Sequence, residues 1–122
     1  MAVAERDFEL YAGDDLEIPV TVTEDGLATG APVDLTGVTG IVFAAAVFGV
    51  EETRRVTKTL GAGVAVTDAP AGKFLVTLAA ADTAALSGRC RYQARIADAA
   101  GARSTVLVGV LTVRPTILEA DE

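Results

Sequence analysis

"LSGRCRYQARI", Leu86 to Ile96, alternates with a period of two: Arg89, Arg91, Gln93 and Arg95 fall on one side of an extended chain, and Cys90, Tyr92, Ala94 and Ile96 on the other. A helix would scatter both sets around its axis, so the stretch reads as a half-buried β-strand. The only cysteine of the chain lies on the apolar side. There, away from the guanidinium heads and in a sequence with no histidine to act as a base, the thiol is a small hydrophobe and not a nucleophile. The arginine side is either a solvated sheet surface or a subunit contact, where arginine is enriched. Three like charges on alternate positions repel, so acidic cross-strand neighbours are expected.

Downstream, "DAAGAR" (98–103) is a turn and "STVLVGVLTV" (104–113) a β-branched strand that stops before Pro115. Upstream, "AADTAALSG" (80–88) has the alanine and leucine content of a short helical turn, capped by Asp82 or Thr83 and stopped by Gly88. Before it, "RRVTKTL" (54–60), "VAVT" (64–67) and "KFLVTLA" (73–79) are strands separated by "GAG" and "DAPAG" at hairpin spacing. "IVFAAAVF" (41–48) is apolar on both sides, which predicts a central strand. "EDGLATGAPVDLTGVTG" (24–40) is a long loop, with a short strand expected near Val33 to Leu35. In "LEIPVTVTE" (16–24), Leu16, Ile18, Val20 and Val22 alternate with polar residues and with Pro19. Having no N–H, Pro19 puts this strand at a sheet edge with its nitrogen outward. "RDFELYAGDD" (6–15) adds a short strand through Phe8 and Leu10 and a turn at Gly13 to Asp15.

Short strands at even spacing with little helix predict an all-β fold: an antiparallel β-sandwich of seven or eight strands with one short helical turn near residues 80–88, or else a small barrel. With neither repeat nor linker, residues 1–122 read as a single domain, its core about 6–115 and a short C-terminal tail 116–122.

Composition narrows the function. With 51% apolar and 22% charged residues the chain is too hydrophobic for disorder. A net charge of −7 argues against nucleic acid as a partner, since phosphate neutralisation needs clustered Lys and Arg. The start lacks a basic leader region, and no stretch offers the roughly eighteen apolar residues of a membrane span, so no membrane insertion is expected. One cysteine makes no internal disulfide, which suits a reducing compartment. Zinc needs Cys and His at set spacings, and Ser87 and Ser104 lack a histidine partner, so neither a zinc site nor a serine triad can be built. "GAGVAV" (61–66) has two glycines, lacks a third at Val66 and opens no helix, which makes it a turn and not a dinucleotide loop. Asp14, Asp15, Glu24 and Asp25 are the remaining catalytic candidates, but turn-rich segments use such carboxylates to bond their own backbone. The spaced calcium loop of an EF-hand is absent. No enzyme activity, metal or cofactor is expected.

Three stretches together, "FELYAGDDLEIPVTVTEDG" (8–26), "APVDLTGVTGIVFAAA" (31–46) and the run from Gly63 to Thr116, resemble a family of immunoglobulin-like β-sandwich modules of tailed-bacteriophage virion proteins. They are similar to the N-terminal domain of phage baseplate upper proteins. The likeness lies in a G-D turn before an alternating strand, a P-V-D-L-T-G segment, a D-T-A-A-L turn and a last strand after an A-G turn. The family often has Tyr where this chain has Cys90, with Tyr92 two positions on, so no tyrosine-corner hydrogen bond is carried over. The resemblance implies that Asp34, Leu35, Thr36 and Gly37 lead the loop into the core strand, and that Asp82, Thr83 and Leu86 form the connector.

It further implies a non-enzymatic virion structural protein, made in the host cytoplasm. The role is that of an adaptor of the tail, baseplate, neck or fibre-attachment region, in several copies around a symmetry axis and bound to other virion proteins. With the sequence ending at Glu122, soon after the sandwich, a small fitting is expected and not a receptor-binding fibre. A capsid head decoration protein is the alternative, and a carbohydrate-binding surface module a weaker one, because sugar platforms are aromatic and the chain has no Trp. Arg89, Arg91 and Arg95 are the candidate contact residues, with Ile117 and Leu118, which look too apolar to stay in water after the last strand. Either a partner covers these two or they fold back onto their own sandwich.

Overall fold

The structure is a computed structural model that describes residues 3–24, 30–49, 55–86 and 88–118. Its strands are β1 (Ala4–Glu5), β2 (Phe8–Tyr11), β3 (Leu16–Thr21), β4 (Gly40–Val47), β5 (Arg55–Leu60), β6 (Gly63–Asp68), β7 (Lys73–Leu78), β8 (Gly88–Ala97) and β9 (Arg103–Arg114), with one helix, α1 (Ala80–Ala85). They make one sheet in the order β1-β9-β8-β4-β5-β6-β7-β3, with β2 beside β9 as well, curled into a half-barrel.

The all-β expectation holds, with three differences. The described residues carry nine strands, not seven or eight, because Ala4–Glu5 pairs ahead of the predicted first strand. Val33 to Leu35 forms no strand; the loop touches the sheet through an isolated Thr23–Pro32 bridge instead. The sheet is also mixed and not purely antiparallel. Both β1 and β2 run parallel to β9, and β5 meets β6 in parallel at Thr59–Gly63 and Leu60–Val64. Period-two alternation looks the same in either pairing, so strand direction is set by the connections and not by the pattern.

β8 is central and behaves as its alternation requires. Cys90, Tyr92, Ala94 and Ile96 are all buried. Across from them stand Leu111, Gly109 and Leu107 of β9, and Val47, Ala45, Phe43 and Ile41 of β4. The other half of the curled sheet closes this core with Ile18 and Val20 of β3, Val64 of β6, and Phe74, Val76 and Leu78 of β7. Cys90 is fully buried and donates its thiol hydrogen to the Leu86 carbonyl at 3.1 Å. β3 ends the strand order, as Pro19 predicts.

Although β2 and β3 are joined by only a short turn, they lie in opposite halves, one on β9 and the other on β7. α1 holds that turn. The Thr83 hydroxyl donates to the Asp14 carbonyl at 2.7 Å and accepts from Gly13 N–H at 3.0 Å, while Asp15 accepts from Ala80 N–H at 2.8 Å. Asp82 accepts from Ala79 N–H at 2.8 Å and pairs with Lys58 at 2.9 Å. The first turn of the helix is thus capped by its own Asp82 and by the distant Asp15.

Between β1 and β2, Arg6 and Asp7 cross closely over β9. Arg6 N–H donates to the Val108 carbonyl at 3.1 Å, and Val110 N–H donates to the Asp7 carboxylate at 2.9 Å. The Tyr92 hydroxyl donates to the Arg6 carbonyl, and its ring packs against Phe8 and Phe43 at centroid distances of 5.9 and 5.6 Å. Gly109 lies beneath this crossing, and a Cβ there would fall 1.8 Å from the Arg6 carbonyl oxygen. Only glycine admits the approach. The Arg6 guanidinium donates onward to the Pro19 carbonyl at 2.7 Å, which ties the two edges of the curled sheet together.

Gly109→Ala is expected to unseat β1 and β2 and to cost about 2–4 kcal/mol, the range for a backbone overlap with no room to relax. Urea unfolding would show the loss, and amide exchange along β9 would rise; an unchanged midpoint and unchanged protection would contradict the crossing. Burial pushes the Tyr92 phenol up to about 12 from its ordinary 10.0, Arg6 opposing the rise and Asp7 adding to it. The unfolded chain therefore releases this proton first. Its stabilising contribution is complete below about pH 10 and is lost as pH rises toward the folded value. Tyr92→Phe should be about 1 kcal/mol less stable at pH 7, having left the Arg6 carbonyl without its donor, and should show a shallower alkaline loss. Identical alkaline slopes for the two proteins would rule this out.

Candidate functional site

The outward side of β8 carries Arg89, Arg91, Gln93 and Arg95, all exposed. The register gives their neighbours. On β9, Thr112 stands opposite Arg89, Val110 opposite Arg91, Val108 opposite Gln93 and Thr105 opposite Arg95. On β4, Ala46 stands opposite Arg91, Ala44 opposite Gln93 and Val42 opposite Arg95. None of these is acidic, so among the described cross-strand pairs the expected acidic neighbours do not stand opposite the arginines. The acids lie one strand further out, Glu5 opposite Val108 and Glu9 opposite Thr112, and Glu9 is bound to Arg114 at 2.7 Å. That pairing holds the Glu9 carboxyl below its ordinary range, through the hydrogen bond first and the charge second. Successive arginines of the column lie about 7 Å apart along the strand. Arg89 also lies over the Phe48 ring, 5.6 Å from its centroid.

β4 is the central strand that its sequence predicts, but only one of its apolar sides is buried. Ile41, Phe43, Ala45 and Val47 enter the core, whereas Val42 and Phe48 are exposed. Beside the arginine column this leaves a depression of about 370 Å³, with Ala44, Ala46 and Val108 at its floor and Arg55, Arg91 and Gln93 around it. Ala46 pairs with Arg55 on one side and Arg91 on the other. Two guanidinium-bearing side chains therefore rise on either side of a methyl group, their strands about 10 Å apart. The arrangement provides an apolar floor for aliphatic groups and bidentate donors for carboxylates.

The predicted arginines thus share one column, and the tail is separate from them. Ile117 is 100% exposed and Leu118 61%, so neither folds back into the core of the curled sheet. Because Val113 pairs with Gly88, the tail leaves the sheet at the Arg89 end of β8. Arg55 and the small floor residues were not singled out from sequence. The signal was present in "IVFAAAVF", whose second set of alternate residues is small and apolar where a water-facing side is usually polar.

Of the carboxylates considered for catalysis, Asp14 accepts from Tyr11 N–H at 3.2 Å and Asp15 caps Ala80, the structural roles that turns give such residues. Asp25 and Ser87 lie outside the described residues. Among the described residues, no helix is long and apolar enough to cross a membrane. No protein-family model matches the chain, and neither does any curated protein.

Val42→Lys, on the open side of β4, is expected to shift the urea midpoint by no more than about 0.5–1 kcal/mol equivalent, while Phe43→Ala, one residue away on the core side, costs about 3–5 kcal/mol. Comparable losses from both would mean that the outer side is covered in the isolated chain.

Proposed function

We propose that this chain is a non-enzymatic structural protein of a tailed-bacteriophage virion, an adaptor of the tail, baseplate, neck or fibre-attachment region that acts through protein contacts and assembles in several copies around a symmetry axis. The fold proposed for it is an immunoglobulin-like sandwich. In support, β3-β7-β6 and β9-β8-β4-β5 have the neighbours of the immunoglobulin strands B-E-D and G-F-C-C′, with the chain crossing between halves at the β2–β3 turn and at the Gly61–Gly63 corner. The resemblance to phage modules agrees with that arrangement.

The observation that carries the functional reading is the open side of the β9-β8-β4-β5 half. An outer sheet side exposed to water is normally polar, but this one sets arginines among Val42, Ala44, Ala46, Val108 and Val110. Arginine over a small apolar floor is the composition of a contact surface. The carboxylates at the β2–β3 turn are engaged in capping and turn bonds, which favours a scaffold over an acid–base site.

The test is co-expression with the products of the flanking genes, followed by particle purification. The full chain is expected to copurify at stoichiometric occupancy, and Arg91→Glu to lower that occupancy at least tenfold. Recovery with heads alone would move the assignment to capsid decoration. A chain that never enters a particle would overturn the virion reading and leave sugar binding to be tried on a glycan array.

A further inference from the structure

We infer that the outer side of the β9–β8 pair is a two-fold interface between copies of this chain, with the acidic column of β1 and β2 in one copy seated against the β8 arginine column of the other. The inference rests on the reading of this sheet side as a contact surface, and it names the partner. It begins with the order of the columns. Glu5 and Glu9 share outward rows with Gln93 and Arg89, through Val108 and Thr112 of β9. The side therefore carries an exposed acidic column and an exposed arginine column about 10 Å apart, with Val108, Val110 and Thr112 of β9 between them. An isologous contact needs a patch that is complementary to itself. A patch with acid on one flank, base on the other and valines in the middle has that property.

The columns select the axis. A two-fold axis lying along β9 stacks that strand on its own copy and brings each acidic column over the partner's β8. Glu9 then faces the partner's Arg89, and Glu5 faces the partner's Gln93 with Arg95 one step along the strand. An axis along β8 would set arginine on arginine, and one across the strands would lay acid on acid. The row between holds Asp7, which accepts from Val110 N–H, and Arg91, which is engaged within its own chain; no contact is asked of either. Glu9 can keep its exposed bond to Arg114, because a carboxylate accepts from more than one guanidinium. The tail supplies an independent observation. With the axis along β9, both copies of that strand run in the same direction, and both tails leave the sheet at the same end. Ile117, 100% exposed, and Leu118, 61% exposed, are thereby brought toward the partner's tail, at the end of the sheet where Tyr11 pairs with Arg114 and is itself 54% exposed.

Charge exchange and cross-linking test this in the full chain. One variant carries Arg89→Glu and Arg95→Glu, the other Glu5→Lys and Glu9→Lys. Sedimentation of the wild type at about 100 μM protein and about 50 mM salt, where screening is weak, is expected to give a dimer, with either variant alone associating at least tenfold more weakly. An equimolar mixture of the two should recover the dimer, because both halves of the mixed interface then oppose unlike charges. For the geometry, Val110→Cys, on the axis, should be joined to its own copy by a short homobifunctional maleimide, the native Cys90 being buried. Thr57→Cys on β5, about 29 Å from its copy, should not be joined. Circular dichroism melting checks that every variant folds. A wild type that stays monomeric, variants that associate normally alone, a mixture that does not recover, or cross-linking at position 57 in place of 110 would each overturn the proposal. A monomeric wild type that still enters particles, with Arg91→Glu lowering its occupancy, would remove the self-association and leave the contact-surface reading standing; one that enters no particle would remove both.

Discussion

The seating of the first strands over Gly109 is the constraint on which the rest of the sheet depends. A curled sheet with two open edges has no intrinsic reason to stop curling, and its edges attract further strands. Here one residue, Arg6, contacts four partners at once. Its N–H and carbonyl are held by Val108 and Tyr92, its guanidinium reaches the Pro19 carbonyl, and the same group lies 5.0 Å from the Phe8 ring centroid. The approach is close enough to require a bare backbone at position 109 and a buried phenol to satisfy the carbonyl. Tyr92 is therefore both a core residue and a fastener, which explains why its hydroxyl tolerates burial.

The chain's acidity and its arginine-rich side are reconciled by where the carboxylates are used. Asp34 accepts from Thr36 N–H, Asp98 from Ala100 and Ala102 N–H, and Asp14, Asp15 and Asp82 from the turns around α1. Each satisfies backbone donors at a strand end. For Asp34 the hydrogen bonds from Thr36 lower the carboxyl below its ordinary value. At Asp82 burial works against ionisation, but Lys58 and the Ala79 N–H outweigh it and the net direction is again downward. These groups stabilise the fold while ionised, and that contribution fades only as pH falls through their lowered values. The loop ends thus carry the negative charge, and the middle of the β8–β4 side carries the positive.

Much of this was legible in the residues. The alternation from Arg89 to Ile96 assigns every buried and exposed side chain of that strand, and Pro19 assigns an edge. The capping of α1 was half legible: Asp82 is local, whereas Asp15 comes from 65 residues away. The parallel seating of β1 and β2 was not legible, because it turns on Gly109, a glycine that in sequence looks like any other in a β-branched run. The missing acidic neighbours have a similar origin. Which strand flanks Arg91 depends on topology, and topology placed "STVLVGVLTV" there. The open side of β4 was not legible for a different reason: the central strand was read correctly, but apolarity on both sides signals burial on both only if something covers the second.

The two sheet edges bear on how copies of the chain can meet. Edge-to-edge addition needs a row of N–H and C=O groups. At one edge Pro19 lacks the N–H, and its carbonyl is already occupied by Arg6. At the other, β1 is two residues long, and the chain breaks at Arg6 and Asp7 before β2 resumes. Among the described residues, neither edge offers an uninterrupted ladder of useful length. On the reading proposed above, contacts with another chain would be directed to the broad side of the sheet, where specificity comes from side chains and not from backbone pairing. Arginines set among alanines and valines discriminate by charge and shape, whereas an open edge would accept any extended segment.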